Sequence, residues 1–402
     1  MNYSAKEIMQ YIEEEDVKFI RLAFCDIFGK QKNISVMPGE IERAFTHGIA
    51  VDASAIDGFG GEIHSDLFLR PDMSTLVRLP WRPEHGSVVR MFCDVKRPDG
   101  SIFENDTRSI LKKAVADAKA EGVNFAFGSE LEFYLFMMSE DGSPTKTPYD
   151  NAGYMDIAPD DKGENVRREI CLTLEQMDIR PESSHHEEGP GQNEIDFRYS
   201  DPLTAADNAV TFRDVVKAIS ARNGLSADFT PKPLADKPGS GFHINISVSG
   251  NGEDLLPCMI AGILKHIKEI TLFLNPSAES YGRLGQDKAP GYITWSAENR
   301  SQLIRVPFAK DEYRRAELRS ADPTANPYLA FALLIYAALD GIRNKLTPPE
   351  SADFNLFTAN AETLKKYDRL PRNLEEAKTA AGKSEFVRTY LPKSLIDGYC
   401  SI

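Results

Sequence analysis

Apolar and polar residues alternate along separate stretches of the chain. Each alternation predicts a β-strand with one apolar and one charged face, because successive side chains of a strand point to opposite sides. In Phe125–Phe136, the residues Phe125, Phe127, Leu131, Phe133 and Leu135 share one face, and Glu130 and Glu132 share the other. In Gln192–Arg198, Glu194 and Asp196 lie opposite Ile195 and Phe197. In Phe242–Val248, His243, Asn245 and Ser247 lie opposite Phe242, Ile244, Ile246 and Val248. In Arg315–Arg319, Arg315, Glu317 and Arg319 share a face. Val17–Val36, broken at Phe28-Gly29-Lys30, predicts two further strands joined by a turn.

Helical patterns stand between these strands. Residues 3–15 are charged and helix-prone. Asp106 or Thr107 can cap a helix that carries Ile110, Leu111, Ala114 and Val115 on one side and closes at Gly122. Asp201-Pro202 and Asn326-Pro327 each place a capping side chain before a proline at the first helical position. The turn signal Arg97-Pro-Asp-Gly-Ser101 marks a boundary. The reading is α+β, with a small domain over residues 1–102 and a larger mixed domain over residues 103–402.

Composition narrows the function. Lys and Arg total 47 against 61 Asp and Glu, a net charge of −14. That balance disfavours nucleic acid or an anionic membrane as the main partner. The longest apolar run, Tyr328–Leu339, falls well short of the about 20 residues of a spanning helix. The first residues lack a basic segment followed by an apolar one. The 5 cysteines are scattered without a CxxC, which fits free thiols in a reducing cytoplasm.

The charged strand faces hold the chemistry. Carboxylates two residues apart on one face repel unless a cation lies between them. One such face is usually just solvated, but a set rich in Glu with a His and several Arg, flanked by Gly, points to a joint site. Oxygen ligands with one imidazole suit magnesium or manganese. Arginines beside such ions suit phosphate or carboxylate groups. The glycines in His185–Glu194 let Glu187 and Glu194 approach one ion, and those in Lys237–His243 let backbone approach a ligand. Neither stretch is a GxxxxGK[ST] phosphate loop.

In order and spacing, five motifs resemble the glutamine synthetase family of bacterial type I. They are Gly128-Ser-Glu-Leu-Glu-Phe133, His185-His-Glu187 with Gly191-Gln-Asn-Glu194, Gly239-Ser-Gly-Phe-His243, Asn299-Arg-Ser301 with Ile304-Arg-Val-Pro307, and Arg315–Arg319 with Asp322-Pro323 and Asn326–Leu329. The likeness extends through Phe19–Val36, Val51–Phe59 and Ser65–Arg82, so it covers nearly the whole chain. It implies an N-terminal β-grasp domain and a catalytic domain built on a curved antiparallel sheet with helices. It also implies a dodecamer of two hexameric rings, with active sites between subunits.

By the same resemblance, one metal ion would be held by Glu132, Glu187 and Glu194, and a second by Glu130, His243 and Glu317. Arg305 and Arg315 would meet the phosphates of ATP, with Glu182, Asn245 and Ser247 toward the nucleoside. Arg283 would clamp the α-carboxylate of glutamate near the Gly239 backbone, Arg300 would bind substrate near the phosphate arginines, and Tyr154 would match a tyrosine near the ammonium site. Arg319 would sit at the γ-carboxylate. Asp52 of a neighbouring subunit would take the proton of the incoming ammonium. The implied reaction joins the γ-carboxylate of glutamate to ammonia through an acyl phosphate, with ATP as co-substrate and Mg2+ or Mn2+ bound.

The chain departs from the family at the acceptor end. The usual Tyr-Glu-Ala-Pro flap reads Arg283-Leu-Gly-Gln-Asp-Lys-Ala-Pro290, one residue shorter. Lys288 takes the place of the flap Glu, and a small loop shift would offer Asp287 instead. Asp-Gly-Ser-Ser reads Asp52-Ala-Ser-Ala55, and the Asn before Gly-Ser-Gly is Pro238. These changes leave open a relative that uses an organic primary amine in place of ammonia. A catalytically weak, ring-forming protein is the remaining alternative.

Overall fold

The computed structural model describes residues 3–60, 65–82, 86–250, 252–309 and 314–402. Helix α1 (Ala5–Glu14) opens the chain. Ser4 caps it, accepting from the Glu7 amide at 3.3 Å while the Ser4 amide donates to the Glu7 carboxylate at 2.7 Å. Strands β1 (Val17–Cys25) and β2 (Gln31–Val36) form a hairpin. Asp26 holds its turn by accepting from the amides of Phe28 and Lys30 at 3.0 and 2.9 Å. After α2 (Ile41–Thr46) come β3 (Ile49–Asp52), β4 (Asp66–Pro71), β5 (Val77–Arg78) and β6 (Ser87–Lys96). The sheet runs β2-β1-β6-β4-β3, and the crossover makes β1 and β6 parallel.

A larger sheet follows, in the order β13-β14-β15-β12-β7-β10-β9. Its central strand β7 (Val123–Met138) also pairs with β8 (Pro144–Pro148) and β11 (Leu225–Asp228). Beside β7 lie β9 (Pro181–His186), β10 (Gln192–Ser200) and β12 (Phe242–Gly250). Beyond β12 come β13 (Trp295–Ala297), β14 (Ile304–Val306) and β15 (Ala316–Leu318). Neighbours in this sheet are antiparallel except the outer pair β13 and β14.

The apolar face of β7 packs on α3 (Thr107–Ala120) and α5 (Pro202–Arg222). Phe127 stacks on Phe331 of α8 (Pro327–Arg343) with centroids 4.3 Å apart. Helices α4 (Glu164–Glu175), α6 (Leu256–Leu274) and α7 (Ala278–Arg283) complete the set used below. Asp201 and Asn326 cap α5 and α8 as the sequence predicts. Asp106 stands at the start of α3 but gives that helix no amide bond. Its carboxylate turns inward to the Val95 amide and the Ser109 hydroxyl, at 3.1 and 2.5 Å, because the closing end of β6 needs an acceptor there.

Buried polar contacts bind the two sheets together. Arg108 of α3 meets Asp72 and Asp94 of the small sheet's region at 3.0 and 3.1 Å, and Asp207 of α5 at 2.9 Å. Gly29 keeps φ at +76°, and a Cβ there would lie 2.8 Å from the Asn326 backbone. The turn between β1 and β2 therefore touches the start of α8.

Candidate functional site

Strand register assembles the site. Across β7 and β10, Glu194 faces Glu132 and Asp196 faces Glu130. Across β7 and β12, His243 faces Glu130. Across β12 and β15, Asn245 faces Glu317, which in turn faces Arg305 of β14. The charged faces thus form one surface, and above it lies a cleft open to solvent, about 880 Å³ with its mouth included. Glu130, Glu132, Glu187, Glu194, His243, Arg283, Arg300, Arg319, Tyr154 and Lys288 line it, as does the Gly239 loop.

Two groups of ligands stand within it. Glu130, His243 and Glu317 place a ligand atom each within 4.8 Å of the others. The His243 Nδ1 lies 3.4 Å from Glu130 and 3.7 Å from Glu317. At the other end the clustering differs from the expected Glu132, Glu187 and Glu194. His185 stands between Glu187 and Glu194, at 3.6 and 3.3 Å, while Glu132 groups with Glu194 and His243. Gly241 permits this closeness, since a Cβ there would lie 2.7 Å from the His243 ring.

Electrostatics separates the two ends. Burial pushes the Glu317 carboxyl up, but Arg319, His243 and Arg305 outweigh it and hold the group at about 2. Burial and then Glu132 push Glu187 up to about 8. Burial and then Glu132 hold Glu194 well above the usual carboxylate range. Asp196 is pushed up to about 7 by burial and by Glu130. Carboxylates so placed carry repulsion that the cluster itself does not relieve, which is the donor set a divalent cation fits.

A second cleft, about 810 Å³ with its open mouth included, adjoins the first through Glu130, and Glu182, Asn245, Ser247 and Arg315 line it. Arg315 donates to the Asn245 side chain at 2.9 Å, and Asn245 donates to Glu130 at 2.7 Å. Arg305 lines neither cavity but bonds Glu317 at 2.8 Å. Arg283 is buried and donates to the carbonyls of Ser320 and Arg319 at 2.9 and 3.2 Å. Arg319 bonds Glu317 and the Arg300 carbonyl.

At the mouth, Lys288 pairs with Glu188 and lies 6.0 Å from the Tyr154 ring, which meets His185 edge-on at 5.4 Å. Asp287 also lines the cleft and pairs with Lys232 at 2.7 Å. Asp52 is exposed and outside this cleft, and accepts from the amide and hydroxyl of Ser54 at 2.9 and 2.7 Å. The hydroxyl and amide of Ser54 hold its carboxyl below the usual range.

Some site residues escaped the sequence reading. Gln192 donates to Glu132 and to the Gly239 carbonyl, both at 3.1 Å, tying strand β10 to the glycine loop. Asp196 was legible only as a face partner of Glu194, and Glu188 only as the neighbour of Glu187.

The glutamine synthetase catalytic-domain profile matches residues 104–402, and the glutamine synthetase β-grasp profile matches residues 16–98. The chain belongs to the glutamine synthetase family. It is 44% identical to glutamine synthetase of Clostridium saccharobutylicum over 413 aligned residues, covering 99% of this chain and 93% of that one. It is 42% identical to glutamine synthetase of Methanosarcina mazei, covering 98% and 92%. Among solved structures, a GmaS/ADP complex superposes with a TM-score of 0.89 at 27% identity, covering 100% of this chain and 94% of the other. Plasmodium falciparum glutamine synthetase, at 24% identity and a TM-score of 0.87, shares the fold. Among the described residues, no helix is long and apolar enough to cross a membrane.

Proposed function

We propose that the chain is a ligase that makes glutamine from glutamate, ammonia and ATP. The observation that carries this reading is the cluster of Glu130, Glu132, Glu187, Glu194, His243 and Glu317, whose repulsion is left unrelieved at one end. Glu130, His243 and Glu317 would hold one Mg2+ or Mn2+, and Glu132, Glu187 and Glu194 another. Bound there, such ions neutralise phosphate and carboxylate charge.

The chain's own residues supply the rest. A carboxylate is a poor electrophile because oxide is a poor leaving group, so its oxygen is first phosphorylated by ATP, giving γ-glutamyl phosphate and ADP. Glu182, Asn245 and Ser247 orient the nucleoside end in the adjoining cavity, and Arg305 and Arg315 hold the phosphates. Arg283 clamps the glutamate α-carboxylate near the Gly239 backbone and Arg300. Arg319 stabilises the transferring phosphoryl group. Ammonia then attacks the acyl carbon and phosphate leaves.

Ammonium must lose its proton first, and Asp52 of a neighbouring subunit takes it. Tyr154 lines the acceptor end, and Lys288 at its mouth repels ammonium. Sites shared between neighbours imply a dodecamer of two rings. The catalytic domain spans 103–402 after a β-grasp domain of 1–102, and the compartment is the cytoplasm.

One assay tests the reading. ATP, magnesium and glutamate are supplied with ammonia, with a panel of primary amines, or with no acceptor, and phosphate release is measured. Saturable release with ammonia supports glutamine formation. Release with amines alone, or with nothing, would overturn it. Glu130→Ala should abolish release with every acceptor.

A further inference from the structure

The hairpin that carries Glu187 and Glu194 has a back as well as a front. In the register of β9 and β10, His185 faces Glu194 on the cleft side, and His186 faces Asn193 one residue along. Alternation turns His186 and Asn193 away from the cleft, and both are 0% exposed. Behind them runs the segment 150–163. It contains Tyr154 and leads into α4.

Two buried groups join that segment to the hairpin. Asp150 lies 2.9 Å from the His186 Nε2 and accepts from the amides of Gly191 and Lys162 at 2.9 and 3.1 Å. The other nitrogen of His186 lies 2.7 Å from the Glu187 carbonyl. Arg167 of α4 donates to Asn193 at 2.6 Å and to both oxygens of Asp161, at 3.1 and 2.5 Å. Asn193 donates in turn to the Gly191 carbonyl at 2.9 Å. The Met155 amide donates to the His186 carbonyl at 3.0 Å, seating the loop that bears Tyr154.

Asp150, Asp161 and His186 stand close enough to suggest an ion site of their own. Donors already occupy it: His186 meets Asp150, and Arg167 covers Asp161 in a fork. The group is self-satisfied, and its bonds end on the residues next to Glu187 and Glu194.

We propose that Asp150, Asp161, Arg167, His186 and Asn193 are positioning residues, a rear brace that sets the spacing of Glu187 and Glu194 from behind the sheet. The inference rests on the two-ion reading above. It assigns the two ends of the cleft different supports. Glu130 and Glu317 are held inside the cleft region by Asn245, Arg305 and Arg319. Among the described residues, Glu187 and Glu194 form no ion pair with an arginine or lysine. Beyond His185 between them, they depend on bonds made to the residues next to them in the hairpin. Partners of this kind fix the direction of ligands and are costly to lose.

The test is a Mn2+ titration of the full chain without nucleotide, with free ion read by electron paramagnetic resonance and folding by circular dichroism. The wild type should show two classes of site. Asn193→Ala should weaken one class by roughly 10- to 100-fold and leave the other unchanged. In a Glu194→Gln background, which already lacks that class, Asn193→Ala should add nothing.

Because Asn193→Ala also strips an acceptor from buried Arg167, His186 gives an independent arm. His186→Gln can still reach Asp150 and should weaken the class less than His186→Ala. The brace is overturned if both classes keep wild-type affinity, if both weaken together, or if the remaining class moves in the Glu194→Gln background. Absence of any Mn2+ uptake by the wild type would overturn the two-ion reading and the brace with it. Two wild-type classes that the variants leave unmoved would overturn the brace alone.

Discussion

At the end of the cleft built on Glu130, His243 and Glu317, the chain supplies its own cations. Arg305 and Arg319 both bond Glu317, which is 1% exposed and held at about 2. At the end built on Glu132, Glu187 and Glu194, acids face acids across β7 and β10, and Glu187 rises to about 8. One end is organised by internal ion pairs before any ligand arrives. The other stores repulsion that an incoming cation would relieve, so its affinity for metal and its dependence on pH come from the same source.

The largest effect expected from breaking this contrast is at Glu317. Glu317→Ala leaves the buried Arg319 and the half-buried Arg305 without their carboxylate, and loss of one partner of a buried pair costs about 3–5 kcal/mol. Denaturant unfolding should show that loss, and phosphate release should fall at least on the order of 100-fold. Unchanged stability would mean that the arginines find other partners.

The opposite sign is expected at Glu194. Its folded pKa, like that of Glu187, lies above the ordinary value of 4.5. The folded chain therefore binds protons more tightly than the unfolded chain. The stabilisation these two groups contribute is fully present below about 4.5 and is lost as pH rises through about 8. The metal-free chain should melt lower at pH 8 than at pH 6, a tenfold difference in proton affinity between the two states being worth about 1.4 kcal/mol. Mg2+ should raise the melting temperature more at the higher pH. Glu194→Gln should flatten both trends. Equal melting of the metal-free wild type at the two pH values would remove the contrast between the ends.

The smallest effect is at the mouth. Lys288 and Glu188 form an exposed pair, with side chains 58% and 38% accessible. Lys288→Glu should change unfolding by less than about 0.5 kcal/mol. It should lower KM for ammonia by roughly two- to fivefold, the size that an exposed charge interaction carries. An unmoved KM would place the lysine in solvent without a part in acceptor binding.

Particular residues show how far local pattern reaches. Glu130 and Glu132 were legible on β7 because alternation needs only neighbours in sequence. The caps Asp201 and Asn326 were legible for the same reason. Asp106 was legible as a helix start but not as a bridge to Val95, since that acceptor answers a strand end eleven residues away in sequence. His185 stands two residues before Glu187 in sequence, yet its place between Glu187 and Glu194 depends on the hairpin's register. Arg167 carried no pattern, for its partners Asp161 and Asn193 lie on a loop and on the rear face of β10.

The order of charged and apolar positions by itself determined which residues share a strand face, where helices begin, and the family to which the chain belongs. These follow from backbone periodicity and capping, which act over a few residues. Only the tertiary structure decided which acids meet cations and which meet other acids. Coulomb interaction depends on distance and burial, and both are set by the register between separate strands, which pairs Glu317 with Arg305 and Glu194 with Glu132.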